Sequence, residues 1–219
     1  ERLAWARVAA LRLSTQLPPG LAGKLAGIQP CPEAAIAAAA GKTGLAERAQ
    51  PSCPSASRLG GVVAGAGVGP SLTYVEGSVY LAGPYRGAPL SAVVVTPAVA
   101  GPFDLGNVVV RVGIGLDPVS GQVRVDSSSS DSIPRILKGI PLQLRNLRIT
   151  LDRPDFTLNA TSCEPSQVQA QLSGAPADEF GVDVESLASL ASRYQTSNCA
   201  RLGFKPKLSL RLLGGTKRS

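Results

Sequence analysis

The sequence predicts an all-β fold, an antiparallel β-sandwich of jelly-roll type carrying a small helical appendage tied by a disulfide. Three observations predict it. Residues 77–116 hold the densest β-branched runs in the chain, and within them Val108, Val110, Val112, Ile114 and Leu116 alternate with Val109, Arg111, Gly113 and Gly115. That is the period of a strand with one buried face, assigned here to the Val108 set. The 24 glycines and 18 prolines fall mostly between the apolar runs, as they do where many short strands are joined by tight turns. Long helical patterns alternating with strands are missing, so a doubly wound α/β sheet is not expected.

A chain of 219 residues is long enough to bury a full core as a single domain over 1–219. With 44% hydrophobic residues it is not a disordered chain, and with only 4% aromatics its core has to be built from Val, Leu, Ile and Ala. The formal charge of +7 is read as the bias of an Arg-, Ala-, Gly- and Val-rich composition rather than as the mark of an anionic partner. The chain begins at Glu1 without an initiator Met, which suggests a processed product or a piece of a larger one. No signal peptide is visible, so export has to be inferred from other features. The longest purely apolar run, residues 34–40, falls far short of the roughly 20 needed to span a bilayer, and no membrane insertion is expected.

In chain order, residues 11–17 alternate like a first strand and end at Pro18-Pro19. Proline suits a first helical turn, so residues 20–26 are expected as a short helix. Cys31-Pro32-Glu33 opens an alanine-rich segment that should be helical and stop at Gly41, because Glu33 complements the helix dipole and alanine has the best helix propensity. Residues 18–56 form the expected appendage. Residues 60–69 read as a glycine-rich strand, and residues 90–95 as a strand covered on both sides. Turns are expected at Gly83-Pro84, at Gly87-Ala88-Pro89 and at Ala100-Gly101-Pro102. Asp117-Pro118-Val119-Ser120-Gly121 reads as a hairpin turn into a strand over 122–125.

Residues 126–132 make a polar, serine-rich loop. Beyond it Leu142 and Leu144 have one parity, and Leu147, Ile149 and Leu151 the other. A β-bulge near Arg145-Asn146 reconciles them. Further strands are expected over 156–159, 168–172, 187–194 and 204–212, with 213–219 as a C-terminal linker. Leu187 to Tyr194 also fits a helix by propensity, and strand is preferred from its position before Cys199.

Four cysteines allow three pairings. The local scheme joins Cys31 to Cys53 across the helical segment and Cys163 to Cys199 at strand ends, each bridge stabilising by roughly 3–4 kcal/mol in the chain-entropy model. Four buried free thiols are the plain alternative. A zinc site fits poorly, since no CxxC spacing occurs and no His is present. Disulfides imply an oxidising, extracytoplasmic location.

Catalytic and ligand motifs do not assemble. Gly41-Lys42-Thr43 lacks the earlier glycine of a phosphate loop, since Ile36 stands there, and reads as a helix end. Gly65-Ala66-Gly67-Val68-Gly69 fails the dinucleotide spacing and reads as glycine in a bulged strand. The absence of His excludes Ser-His-Asp and Cys-His centres, while a Ser-Lys dyad stays open because Ser is abundant and six Lys are present, although no motif selects one. Asp152/Asp155 and Asp178/Glu179 read as loop charges rather than a glycosidase pair. Asp126 through Asp131 offers oxygen ligands for Ca²⁺, against the simpler reading of a solvated serine loop. Asn159-Ala160-Thr161 matches a glycosylation sequon. Two basic groups, Arg145, Arg148 and Arg153, and Lys205, Lys207, Arg211, Lys217 and Arg218, suggest contact with an anionic polymer, set against an ordinary charged face. Nucleic-acid binding would want interleaved aromatics, which these stretches lack. No cofactor and no metal are expected.

Several stretches carry a resemblance: Leu17-Pro18-Pro19-Gly20-Leu21, Leu25-Ala26-Gly27-Ile28, Cys31-Pro32-Glu33-Ala34 and Cys53-Pro54-Ser55-Ala56-Ser57-Arg58-Leu59-Gly60. Others are Val79-Tyr80-Leu81-Ala82-Gly83-Pro84-Tyr85, Pro97-Ala98-Val99-Ala100-Gly101-Pro102-Phe103-Asp104-Leu105-Gly106, Leu151-Asp152-Arg153-Pro154 and Phe204-Lys205-Pro206-Lys207. Together they resemble a repeated module of very large secreted or surface proteins of high-GC actinobacteria. The resemblance implies export, tandem neighbours in the same polypeptide and paired cysteines. It carries over no activity and no site residue, and where that module has its usual loop after Val125 this chain has a serine run. The expectation is therefore a non-enzymatic extracellular structural or adhesive module, with a carbohydrate- or cell-wall-polymer-binding module as the alternative and a Ser-Lys hydrolase third.

Overall fold

The computed structural model describes residues 8–67, 70–176, 186–201 and 209. The chain runs through β1 (Val8–Gln16), β2 (Ala22–Gly23), α1 (Glu33–Gly41), α2 (Gly44–Ala49), β3 (Arg58–Ala66), β4 (Thr73–Ala82) and β5 (Leu90–Ala100). It continues through β6 (Phe103–Leu116), β7 (Val123–Val125), β8 (Ile136–Leu137), β9 (Ile140–Pro141), β10 (Leu144–Leu151), β11 (Thr157–Leu158), β12 (Ser166–Pro176) and β13 (Ser186–Tyr194). The all-β, antiparallel class is the one expected. Nine strands join in one sheet of order β10-β3-β4-β5-β6-β7-β1-β12-β13, curled so that β1 also comes up against β10. Two small ribbons, β2 with β11 and β8 with β9, lie outside it.

Register decides what each face carries. Tyr80, Val93 and Arg111 stand abreast on three central strands, and so do Ser78 with Val95, and Ser91 with Gly113. This face meets the helical segment. Tyr80, Val93 and Val95 pack with Ala39 of α1 and with Cys31 and Cys53, and Ala35, Ile36 and Val109 close the cluster. On the opposite face Val62, Val79 and Leu81 are buried too, outside the cluster that packs on the helical segment.

The parity expected for β6 is therefore corrected. Val108, Val110, Val112 and Ile114 are half-buried and Leu116 is 63% exposed, whereas Arg111 is only 6% exposed and Gly113 is buried with it. Alternation locates a strand's two faces but not the one that a helix from another part of the chain will cover. Gly113 shows why that face is full: a Cβ there would run into Ser129 of the serine loop.

The helices follow from capping. Pro32 precedes α1 with extended geometry, Glu33 sits in its first turn, and the Lys42 N–H returns to the Ala38 carbonyl at its end. Thr43 then caps α2 by accepting from the Ala46 N–H at 3.2 Å, so the Gly41-Lys42-Thr43 motif is a helix end followed by a new helix start. Residues 20–26 are not the expected helix. Gly20 and Gly27 take positive φ of 78° and 82°, and between them β2 pairs with β11. Two isolated turns, Leu21 N–H to the Pro18 carbonyl and Ile28 N–H to the Leu25 carbonyl, flank β2.

The Asp117–Gly121 turn forms as expected, with Asp117 accepting from the Val119 and Ser120 N–H groups and Gly121 at φ 68°. The bulge in β10 lies between Leu144 and Asn146. Residues 187–194 are strand, paired along the length of β12. Lys138 and Gly139, both at positive φ, make the β8–β9 hairpin, which the sequence reading passed over. The predicted strand over 204–212 and linker over 213–219 lie outside the described residues.

Candidate functional site

Both predicted disulfides form. Cys31–Cys53 ties the entry of α1 to the segment before β3, with Cα atoms 5.4 Å apart and both residues in the core. Cys163–Cys199, with Cα atoms 5.6 Å apart, joins the lead into β12 to the segment after β13. Arg145 and Arg148 sit on β10, an edge strand of the sheet. Arg153, grouped with them in the sequence, is turned to the protein and donates to the carbonyls of Ala56 and Arg58 at 2.8 and 2.9 Å. Lys205, Lys207 and Arg211 lie outside the described residues.

The serine loop is not the solvated segment expected. Ser127–Ser129 form one 3₁₀ turn, Ser129 and Ser130 are buried, and the Ser130 hydroxyl accepts from the Gly113 N–H while donating to the Asp126 carbonyl at 2.6 Å. The carboxylates point into this structure. Asp126 accepts from the Ser128 N–H and hydroxyl, which holds its carboxyl below the usual range. Asp131 accepts from the Arg111 N–H at 2.9 Å and from the Tyr85 hydroxyl at 2.6 Å, and pairs with Arg86 at 3.0 Å. Among the described residues no group of three or more potential metal ligands occurs.

Around Asp131 the described residues form a dense polar cluster, and sequence reasoning missed its centre. Arg111 donates from Nε to the Ser91 hydroxyl (2.9 Å), from Nη1 to Glu33 (2.7 Å), and from Nη2 to the carbonyls of Gly83 and Pro84 (3.2 and 3.3 Å). Its guanidinium lies 4.4 Å from the Tyr85 ring centroid. The hydrogen bond to Asp131 holds the Tyr85 proton and raises that phenol's pKa. The one visible signal was a cation inside a valine run beside two glycines. These contacts hold α1, the 83–88 turn and the serine loop on β6.

The open polar surface lies elsewhere, in a groove of about 920 Å³ where β1, β7, β12 and β13 meet. Gln16 stands opposite Gln169, and Gln167 opposite Arg193. The Gln16 amide donates to Gln122 at 2.9 Å, and Gln122 donates to the Leu17 carbonyl at 3.1 Å, so this pair is fixed. Pro19, Pro165 and Tyr194 supply apolar wall, the Tyr194 hydroxyl donating to Asn159 at 3.0 Å. Asn159 is the sequon asparagine and is thereby placed at the rim.

No family model, curated protein or solved structure matches this chain.

Proposed function

We infer that the chain is a non-enzymatic structural or adhesive module of an extracellular, multi-domain surface protein. The observation that supports the reading is the Arg111 cluster beside the Cys31–Cys53 bridge. The buried Arg111 cross-links segments distant in sequence beside the core disulfide, as a structural spacer in an oxidising compartment requires. Its partners are neighbouring modules of the same polypeptide, consistent with the resemblance to repeated surface modules. The test is reaction with serine-directed covalent probes. The reading expects no stoichiometric labelling, and labelling lost on substitution of one Ser or one Lys would replace it with a Ser-Lys hydrolase. A second reading, a glycan- or cell-wall-polymer-binding module, is favoured by the glutamine-lined groove, in which Gln16, Gln122 and Gln195 are fixed by internal hydrogen bonds and Gln167 and Gln169 are exposed.

A further inference from the structure

We propose that the groove between β1, β12 and β13 binds an extended, hydroxyl-rich polysaccharide chain. This rests on the second reading above and names its site and ligand class. Among the described lining residues five are glutamines, Arg193 is the only charged one, and no carboxylate takes part. A primary amide offers two donors and an acceptor in one plane, which suits neutral groups that both give and accept hydrogen bonds. Sugar hydroxyls are such groups.

The arrangement fits a polymer better than a small ligand. Gln167, Gln169 and Gln171 share one face of β12, set about 7 Å apart by the strand's rise, and their amides point to solvent. The site is an open groove rather than an enclosed cavity. The Gln16–Gln122 pair is held before any ligand arrives, which lowers the ordering cost of binding. Pro19, Pro165 and the anchored Tyr194 ring give apolar surface for the C–H faces of sugar rings. Among the described lining residues one arginine is too little charge to favour an acidic peptide or a nucleic acid, and the amides are too polar for a lipid. Arg193 instead fits a single carboxylate on an acidic sugar.

Titration by calorimetry and by NMR shift perturbation tests this, with cellohexaose and maltohexaose as neutral probes and trigalacturonate as the acidic one. At least one should bind with a Kd of about 1 mM or tighter. The Gln167→Ala/Gln169→Ala double variant should weaken binding about tenfold, the loss of two to three hydrogen bonds. Arg193→Met should weaken trigalacturonate and leave the neutral probes unchanged. All three positions are exposed, so circular dichroism should show the fold intact. Binding that survives the double variant overturns the groove while leaving a glycan-binding module standing. Absence of binding to every probe overturns both.

Discussion

Arg111 is a charged side chain held at 6% exposure, and its neighbours explain how it stays there. Four acceptors and an aromatic face surround the guanidinium, so its charge and nearly all its donors are satisfied. Arg111→Ala would remove the donors to the Ser91 hydroxyl, to Glu33 and to the Gly83 and Pro84 carbonyls, while Asp131, held by the backbone N–H of residue 111, would keep that bond. It should lower stability by about 2–3 kcal/mol in urea unfolding, the cost of leaving buried acceptors without their donors. Glu33→Gln should cost much less, because Glu33 is 69% exposed and water replaces its contact. Equal effects of the two would place the stabilisation in the Glu33 pair rather than in the enclosed remainder of the cluster. Asp104 works differently. Its carboxylate receives the N–H groups of Leu45, Gly106 and Gly44, and these hold its pKa below the ordinary 3.8. A depressed carboxyl contributes stability that is complete above its unfolded pKa and is lost as pH falls through the folded one. Asp104→Asn should therefore melt below the wild type at pH 6, and the gap should narrow as pH drops below 3.8. A gap independent of pH would show that the charge is not what the N–H groups hold.

At the level of elements, legibility in the sequence tracked the range of the interactions involved. Local rules found α1 from Pro32 and Glu33, the 117–121 turn from Pro and Gly, and the bulge near Arg145 from a change of leucine parity. Long-range packing was not visible. Residues 108–110 are three consecutive valines, so nothing within β6 tells which parity the helical segment will cover. The serine loop looked solvated because serine is polar, yet it lies over Gly113, where a Cβ would collide with Ser129. The groove was hidden for the same reason. Gln167, Gln169 and Gln171 read alone are the wet side of a strand, and only the pairing of β12 with β1 brings Gln16 and Gln122 beside them. A run of neutral amides where lysine or glutamate would serve solubility equally well was the signal available in the sequence.

Across the whole molecule the two disulfides occupy unlike surroundings. Cys31 and Cys53 are each 2% exposed, beneath α1 and against Tyr80 and Ala82. Cys163 is exposed and Cys199 half-buried, at the open end of the β12–β13 pair. Thiol exchange needs a path for the attacking thiolate, so access should order the two reductions. Under mild dithiothreitol at neutral pH, alkylated peptides containing Cys163 and Cys199 should appear first, with the protein still folded. Cys31 and Cys53 should be labelled only as the sheet and helices separate, together with loss of the near-ultraviolet tyrosine signal. That loss should carry a destabilisation of about 3 kcal/mol, expected when a bridge closing a loop of this size is removed. The reverse order would mean that the helical segment lifts from the sheet as a unit while β12 and β13 stay closed. In that case the Arg111 cluster would be a hinge rather than a lock, because Glu33 and Cys31 would leave the Tyr80–Val93–Arg111 row together.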